Sequence, residues 1–265
     1  MSRLGIIAGD KSLPSTLINF LKSQGADDTV VAGIIGSYEG VADARFRLAE
    51  LPKLIAYFKR LGVERVVLAG GVHTAKVGFS LKLIEFALRL LFMKNRYDGV
   101  LRLVVREIEK NGMKVVGIQE IMPQLLIAEG AMGAIAPSEL QTAEINRAWR
   151  RAREFASTDV GQSCVEVGGV VVATEKFAGT NELIGRAGMR PAAVLLKMPK
   201  PAQEMRADVP VIGVDTVELC AARGYAGIAV EAGRVIVEDR AATVAAADKN
   251  KIFIVGFRLG AGMTG

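Results

Sequence analysis

"LPKLIAYFKRLGVERVVLAGG" (residues 51–71) places a helical repeat directly before an apolar strand. In 51–61 the apolar side chains return every three or four residues, the spacing of one helix face; 65–71 is short, apolar and closed by two glycines. A helix that feeds a strand through a tight link is half of a β-α-β unit, and the same pattern recurs on both sides. "LGIIA" (4–8) precedes a helix pattern at 14–23 and "TVVAGI" (29–34) follows it, while helix patterns at 79–93 and 99–111 lead to "KVVGI" (114–118). The alternation predicts an α/β protein whose N-terminal domain is Rossmann-like with a mostly parallel sheet.

Around "EGAMGAIAPSEL" (129–140) the chain turns glycine- and alanine-rich, reaches Pro137 and restarts with Ser138 as a helix cap. A boundary near 136 is expected, giving a Rossmann-like domain over 1–136 and a second α/β domain over 137–265. The second domain is predicted to run helix 138–156, strand pair 164–174, helix 181–187, strand 192–197, strand 211–214 and helix 216–223 ended by Gly224. A hairpin over 226–238, turning at Glu231-Ala232-Gly233, a further helix and a strand at 252–257 complete it.

Composition narrows the function. Of 265 residues 51% are hydrophobic and only 6% aromatic, with mean hydropathy +0.31, which fills cores and excludes a disordered chain. A net charge of +6 favours anionic partners such as phosphates or acidic lipid. Nucleic acid is not expected, because zinc-finger spacing and interleaved aromatics are missing. The arginines of "NRAWRRAREF" (146–155) read as a solvated helix face. Cys164 and Cys220 are too few for a disulfide framework, and the opening "MSRLGIIAGD" meets Gly and Asp before any leader core, so a cytoplasmic location is expected. With one histidine, His73, a metal would be a hard cation on oxygen ligands. The greasy segment "SLKLIEFALRLLFMK" (80–94) is too short and too charged for a membrane span; it suits a core helix, a dimer interface, an acyl-chain wall or an interfacial helix.

Three stretches offer chemistry. "GIIAGDKSLP" (5–14) sets Gly9 and Asp10 at the end of the first strand, where free backbone N–H groups face a ligand. G-x-x-x-G is not the dinucleotide fingerprint, which argues against a nicotinamide oxidoreductase; a hydroxyl or a metal suits Asp10 better than a phosphate does. "AGGVHTAKV" (69–77) opens on the same sheet edge, so the two loops are expected to share a crevice. Between two apolar runs lies "KMPKPAQEMRADVPVIGVD" (197–215). Its Lys197, Lys200 and Arg206 bring positive charge, and Glu204, Asp208 and Asp215 can hold a hard cation or accept a proton from water, the mixture phosphoryl chemistry needs.

The same stretch, as "LLKMPKPAQEMRADVPVIG" (195–213), is close to a pattern K-x-x-K-P-x-Q-x-x-R-x-D-L-P-x-I-G. With "GVLRLVVREIEKNGMKVVGIQEIMP" (99–123), "DVGQS" (159–163) and "GVVVATEKFAGTNELI" (169–184), it resembles the LpxI family, the UDP-2,3-diacylglucosamine pyrophosphatases of lipid A biosynthesis. The resemblance covers most of the chain. It implies two domains and a magnesium-dependent hydrolase that splits UDP-2,3-diacylglucosamine into 2,3-diacylglucosamine 1-phosphate (lipid X) and UMP. It further implies a homodimer with peripheral contact to the inner membrane.

The family's catalytic aspartate falls on Asp208, which the resemblance also makes the Mg2+ ligand. Lys200, Gln203 and Arg206 match its neighbours as phosphate or metal-shell contacts, and Gln162, Gly179 and Thr180 match further substrate positions. The chain departs from the family at Ala178-Gly179-Thr180-Asn181, where Glu-Gly-Thr-Asp is common, and at Asp10-Lys11-Ser12, where a glycine run is common. The alternative function is a non-catalytic or altered-specificity binder of a lipid-linked or sugar nucleotide.

Overall fold

A computed structural model of the chain describes residues 2–26, 28–71, 96–176 and 178–259. His73 and the 80–94 segment lie outside the described residues. The chain divides into two units, Met1–Pro123 with Glu204–Asp208, and Gln124–Gln203 with Val209–Gly265. The change after Pro123 comes before the boundary expected near 136. Its cause is backbone pairing: Ile127 N–H donates to the Val235 carbonyl, and Gly130–Ala131 (β6) pairs antiparallel with the strand Phe253–Phe257. The glycine-rich stretch therefore already belongs to the second unit.

In the first unit, strands Leu4–Ala8 (β1), Thr29–Ile34 (β2), Ala44–Phe46 (β3), Arg65–Ala69 (β4) and Lys114–Val116 (β5) form a parallel sheet in the order β3-β2-β1-β4-β5. Among the described residues its helices are Leu13–Ser23 (α1), Leu51–Arg60 (α2), Arg96–Lys110 (α3) and Ile118–Ile121 (α4). The opening stretch behaves as its pattern requires. Leu51, Leu54, Ile55 and Phe58 form the buried face of α2, and Leu54 and Phe58 join a core with Val66, Val104, Ile108 and Val115. Each such side chain removed from water contributes about 1.5–3 kcal/mol. β1 is central and buried along its whole length. The strand order reverses direction there, so the loops after β1 and β4 lie side by side at the carboxyl edge, where α/β sheets bind ligands.

In the second unit, Ser163–Val167 (β7), Val170–Thr174 (β8), Val194–Lys197 (β9), Gly227–Glu231 (β11) and Phe253–Phe257 (β13) make a sheet in the order β6-β13-β11-β9-β7-β8. β9, β11 and β13 are parallel, while β6, β7 and β8 pair antiparallel with their neighbours. Val211–Ile212 (β10) pairs parallel with Ile236–Val237 (β12) outside that sheet. The hairpin expected over 226–238 is therefore not formed. Both edges of β11 are taken by β9 and β13, so β12 has no edge to join and passes to β10. Likewise the strand expected over 211–214 stops at Ile212, because Val214 starts a helix.

The helices of this unit are Glu139–Ser157 (α5), Thr180–Ala187 (α6), Val214–Ala221 (α7) and Arg240–Lys249 (α8). Ser138 caps α5 in a reciprocal pair, its Oγ accepting from Gln141 N–H while Gln141 Oε1 accepts from Ser138 N–H. Ile145, Ala148, Trp149, Ala152 and Ala156 form its buried stripe, which leaves Arg150 and Arg151 exposed. Period-2 alternation sends neighbouring strand residues into opposite cores: Val165 and Leu195 meet one, while Cys164, Val194 and Leu196 meet the core on α5.

Candidate active site

That alternation places Lys197 on the same sheet face as Leu195, and its register partner Ser163 on the same face as Val165. Both reach the start of α6. Lys197 Nζ donates to Thr180 Oγ1 at 3.1 Å and to the Val211 carbonyl at 2.9 Å, and Ser163 Oγ lies 3.0 Å from Thr180 Oγ1. Thr180 follows Gly179, whose φ of 88° is a backbone state that a β-carbon disfavours. Glu175 completes the group: one carboxylate oxygen accepts from Gln162 N–H at 2.9 Å, and the other from the Thr180 hydroxyl at 3.4 Å.

The network continues through Gln162. Its side-chain oxygen accepts from Gln203 Nε2 at 3.1 Å, and Gln203 Oε1 in turn accepts from Lys200 N–H at 2.9 Å. Gln203 N–H donates to the Lys200 carbonyl, closing a four-residue turn with Pro201 second. Lys200 Nζ pairs with Asp159 at 3.4 Å. Ser163, Glu175, Lys197, Lys200 and Gln203 are all buried. Gln162, Thr180 and the Lys200–Gln203 turn, from three separate stretches of the sequence, thus share one hydrogen-bonded network in the second unit. Lys197, which the sequence offers for its positive charge, joins them, and so do Ser163 and Glu175, which no motif marks as site residues. The strand register is the signal that exposes them.

The rest of the motif belongs elsewhere. Gln203 is the last residue of that stretch in the second unit, and Glu204–Asp208 form part of the first. This five-residue strap makes a single turn, with Ala207 N–H and Asp208 N–H both donating to the Glu204 carbonyl. Gln119 Nε2 holds the Met205 carbonyl at 2.9 Å, and Ala207 packs on the first unit's core. Arg206 is engaged on three nitrogens by carboxylates: Nε and Nη2 meet the two oxygens of Glu204 at 2.8 Å each, and Nη1 meets Glu109 at 2.6 Å. The fork on Glu204 holds that carboxyl below its usual range.

Also in the first unit, Gly9 N–H donates to the Ala69 carbonyl and Asp10 N–H to the Gly71 carbonyl. The loops after β1 and β4 do meet, as far as Gly71. A β-carbon on Gly9 would overlap the Gly71 carbonyl oxygen, so the close approach requires glycine. Among the described residues no three His, Cys, Asp or Glu side chains gather as a metal-binding group. Both cysteines are buried, and burial pushes the thiols of Cys164 and Cys220 up to about 12, which removes them as nucleophiles near neutrality.

The family models for the LpxI N-terminal domain and the LpxI C-terminal domain match residues 3–125 and 128–255. This chain belongs to the LpxI family. UDP-2,3-diacylglucosamine pyrophosphatase LpxI of Caulobacter vibrioides is 33% identical to it over 273 residues, covering 97% of this chain and 98% of that protein. The join between the two LpxI domains, after residue 125, falls close to the change of unit after Pro123. In LpxI terms the C-terminal model spans the whole 200–210 motif, whereas the fold returns Glu204–Asp208 to the N-terminal unit.

Proposed function

We propose that this chain hydrolyses the pyrophosphate bond of UDP-2,3-diacylglucosamine, giving 2,3-diacylglucosamine 1-phosphate and UMP in lipid A biosynthesis. The observation that carries the proposal is the full-length likeness to a protein named for that activity. The residues suit the reaction. Water adds across the anhydride: a new P–O bond forms, the bridging P–O bond breaks, and the attacking water gives up a proton.

Asp208 is proposed to take that proton or to hold a divalent cation. Mg2+ keeps several waters and takes phosphate oxygens, so one or two protein carboxylates suffice, and Asp208 fits as one of them without a larger acidic cluster. When bound, the ion supplies positive charge to the phosphate oxygens. In this proposal Lys200 and Gln203 face the phosphates, with Gln162, Gly179 and Thr180 as further substrate contacts. Gly9 and Asp10 lie where the sheet edge receives a ligand, and the Asp10 carboxylate suits a sugar hydroxyl. A homodimer that collects its amphiphilic substrate from the cytoplasmic face of the inner membrane completes the proposal. Among the described residues no helix is long and apolar enough to cross a membrane, and the net charge of +6 favours an anionic lipid surface.

The test is UMP release from UDP-2,3-diacylglucosamine in detergent, followed by mass spectrometry with magnesium and then with chelator. Equal amounts of UMP and lipid X, abolished by chelator, are expected. Saturable binding of the substrate without UMP at any magnesium concentration would replace the enzyme with a binder.

A further inference from the structure

We propose that Arg206 is a positioning residue for Asp208, acting with Glu109, and not a ligand for the substrate's phosphates. The proposal rests on the pyrophosphatase reading and on Asp208 as its reactive carboxylate. The geometry points to it. A guanidinium grips a phosphate best through a pair of parallel N–H groups, and in Arg206 the Nε/Nη2 pair is taken by both oxygens of Glu204. Nη1, on the remaining side, is taken by Glu109. Three of its five N–H donors are thus committed to carboxylates, so a phosphate could approach Arg206 only beside two negative groups already in contact with it.

Charge leads to the same assignment. Glu204 and Glu109 oppose Arg206, and Arg102 is the other cation acting on Glu204. Arg206 is therefore offset at contact distance by two carboxylates, which weakens its pull on an anion. What it does instead is mechanical. Glu109 is on α3, one residue before that helix ends at Lys110, and Arg206 is two residues before Asp208 on the strap. The ion pair ties the strap to α3, as the Gln119 bond to the Met205 carbonyl ties it to α4. Asp208 is thereby held by a turn clamped at Met205 and Arg206, and small misplacements of a reacting group reduce rates steeply.

The experiment measures UMP release for the wild type, Glu109→Gln, Glu109→Asp, Arg206→Ala and the double variant Glu109→Gln/Arg206→Ala, with circular dichroism to confirm folding. Hydrogen exchange at the Ala207 and Asp208 amides is read alongside. A positioning role predicts that Glu109→Gln lowers kcat about 10-fold with KM within about 3-fold, and that Arg206→Ala lowers it on the order of 10²-fold. Glu109→Asp should recover most of the rate. The double variant should be no slower than Arg206→Ala alone, because Glu109 acts through Arg206. Exchange at both amides should speed up in Glu109→Gln and Arg206→Ala.

Wild-type kinetics and exchange in Glu109→Gln, with Arg206→Ala raising KM at unchanged kcat, would overturn the proposal and make Arg206 a substrate ligand. A wild type that releases no UMP would refute the pyrophosphatase reading itself. In that case faster amide exchange in Glu109→Gln still supports the clamp, and unchanged exchange removes it.

Discussion

Lys197 Nζ donates to Thr180 Oγ1 across 3.1 Å, joining the end of β9 to the first residue of α6. The ammonium is buried with Glu175, Ser163 and Gln203, so its removal takes a donor from Thr180 Oγ1 and from the Val211 carbonyl inside that network. Lys197→Met keeps the chain length and deletes the three N–H donors. The loss of the bonds to Thr180 and to the Val211 carbonyl should destabilise the protein by about 1–3 kcal/mol. For a chain of this size that lowers Tm by about 2–4 °C per kcal/mol. Calorimetry checks the stability and UMP release the function. An unchanged Tm would mean that the network contributes nothing to the fold.

Asp208 sits on a turn closed by backbone bonds to the Glu204 carbonyl. Asp208→Asn keeps those bonds and the shape of the side chain, so it should leave Tm within about 1 °C and lower kcat by ~10²–10⁴-fold, the usual loss when one placed acid–base group is removed. An Asp208→Asn protein as active as the wild type would move the chemistry to another residue.

Glu166 supplies a pH prediction away from the site. It is completely buried on β7; one oxygen accepts from Gly169 N–H at 2.8 Å and the other has no hydrogen-bond partner among the described residues. Burial raises its pKa above the ordinary glutamate value of 4.5, with Glu144 adding to the rise while the Gly169 bond and Arg147 oppose it. Between 4.5 and the raised value the folded protein keeps a proton that the unfolded chain has released. Stability then falls as pH rises through that window and stays lower above it. Glu166→Gln should flatten this slope, so that its urea midpoint gains on the wild type from acid toward neutral pH. A parallel pair of midpoint curves would refute the raised pKa.

The first unit was largely legible because its strands are buried on both faces and alternate with amphipathic helices, as at 51–71. β3 was not, since Ala44–Phe46 is three residues long and only partly buried, too short for a period to show. In the second unit the run 226–238 reads as a hairpin because local sequence records strand propensity and a glycine turn, not which edges are already taken. The motif at 200–210 was found, but its division was hidden: no feature of "PAQEMRADV" says that the chain leaves one unit and returns. Arg206, which the motif offers as a phosphate or metal-shell contact, shows the same limit of local sequence. Its partner Glu109 lies 97 residues away in sequence, and only the fold supplies it.

Gly9 shows what such proximity demands of a single position. Its amide donates to the Ala69 carbonyl at 2.8 Å, and the next amide, of Asp10, donates to the Gly71 carbonyl at 2.7 Å. A methyl group at residue 9 meets that same Gly71 oxygen, so Gly9→Ala must push the β4 loop away or break the Asp10 bond. Neither outcome is a relaxation of side chains, since both contacts are backbone. Overpacking of this kind costs about 1–3 kcal/mol, and it also shifts Asp10, the residue proposed to meet a sugar hydroxyl. Gly9→Ala should therefore lower Tm and raise KM for UDP-2,3-diacylglucosamine by about 10-fold, with a smaller change in kcat, as loss of binding common to ground and transition states requires. A lowered Tm with unchanged KM would keep the close approach as a feature of the fold and remove Asp10 from the substrate site.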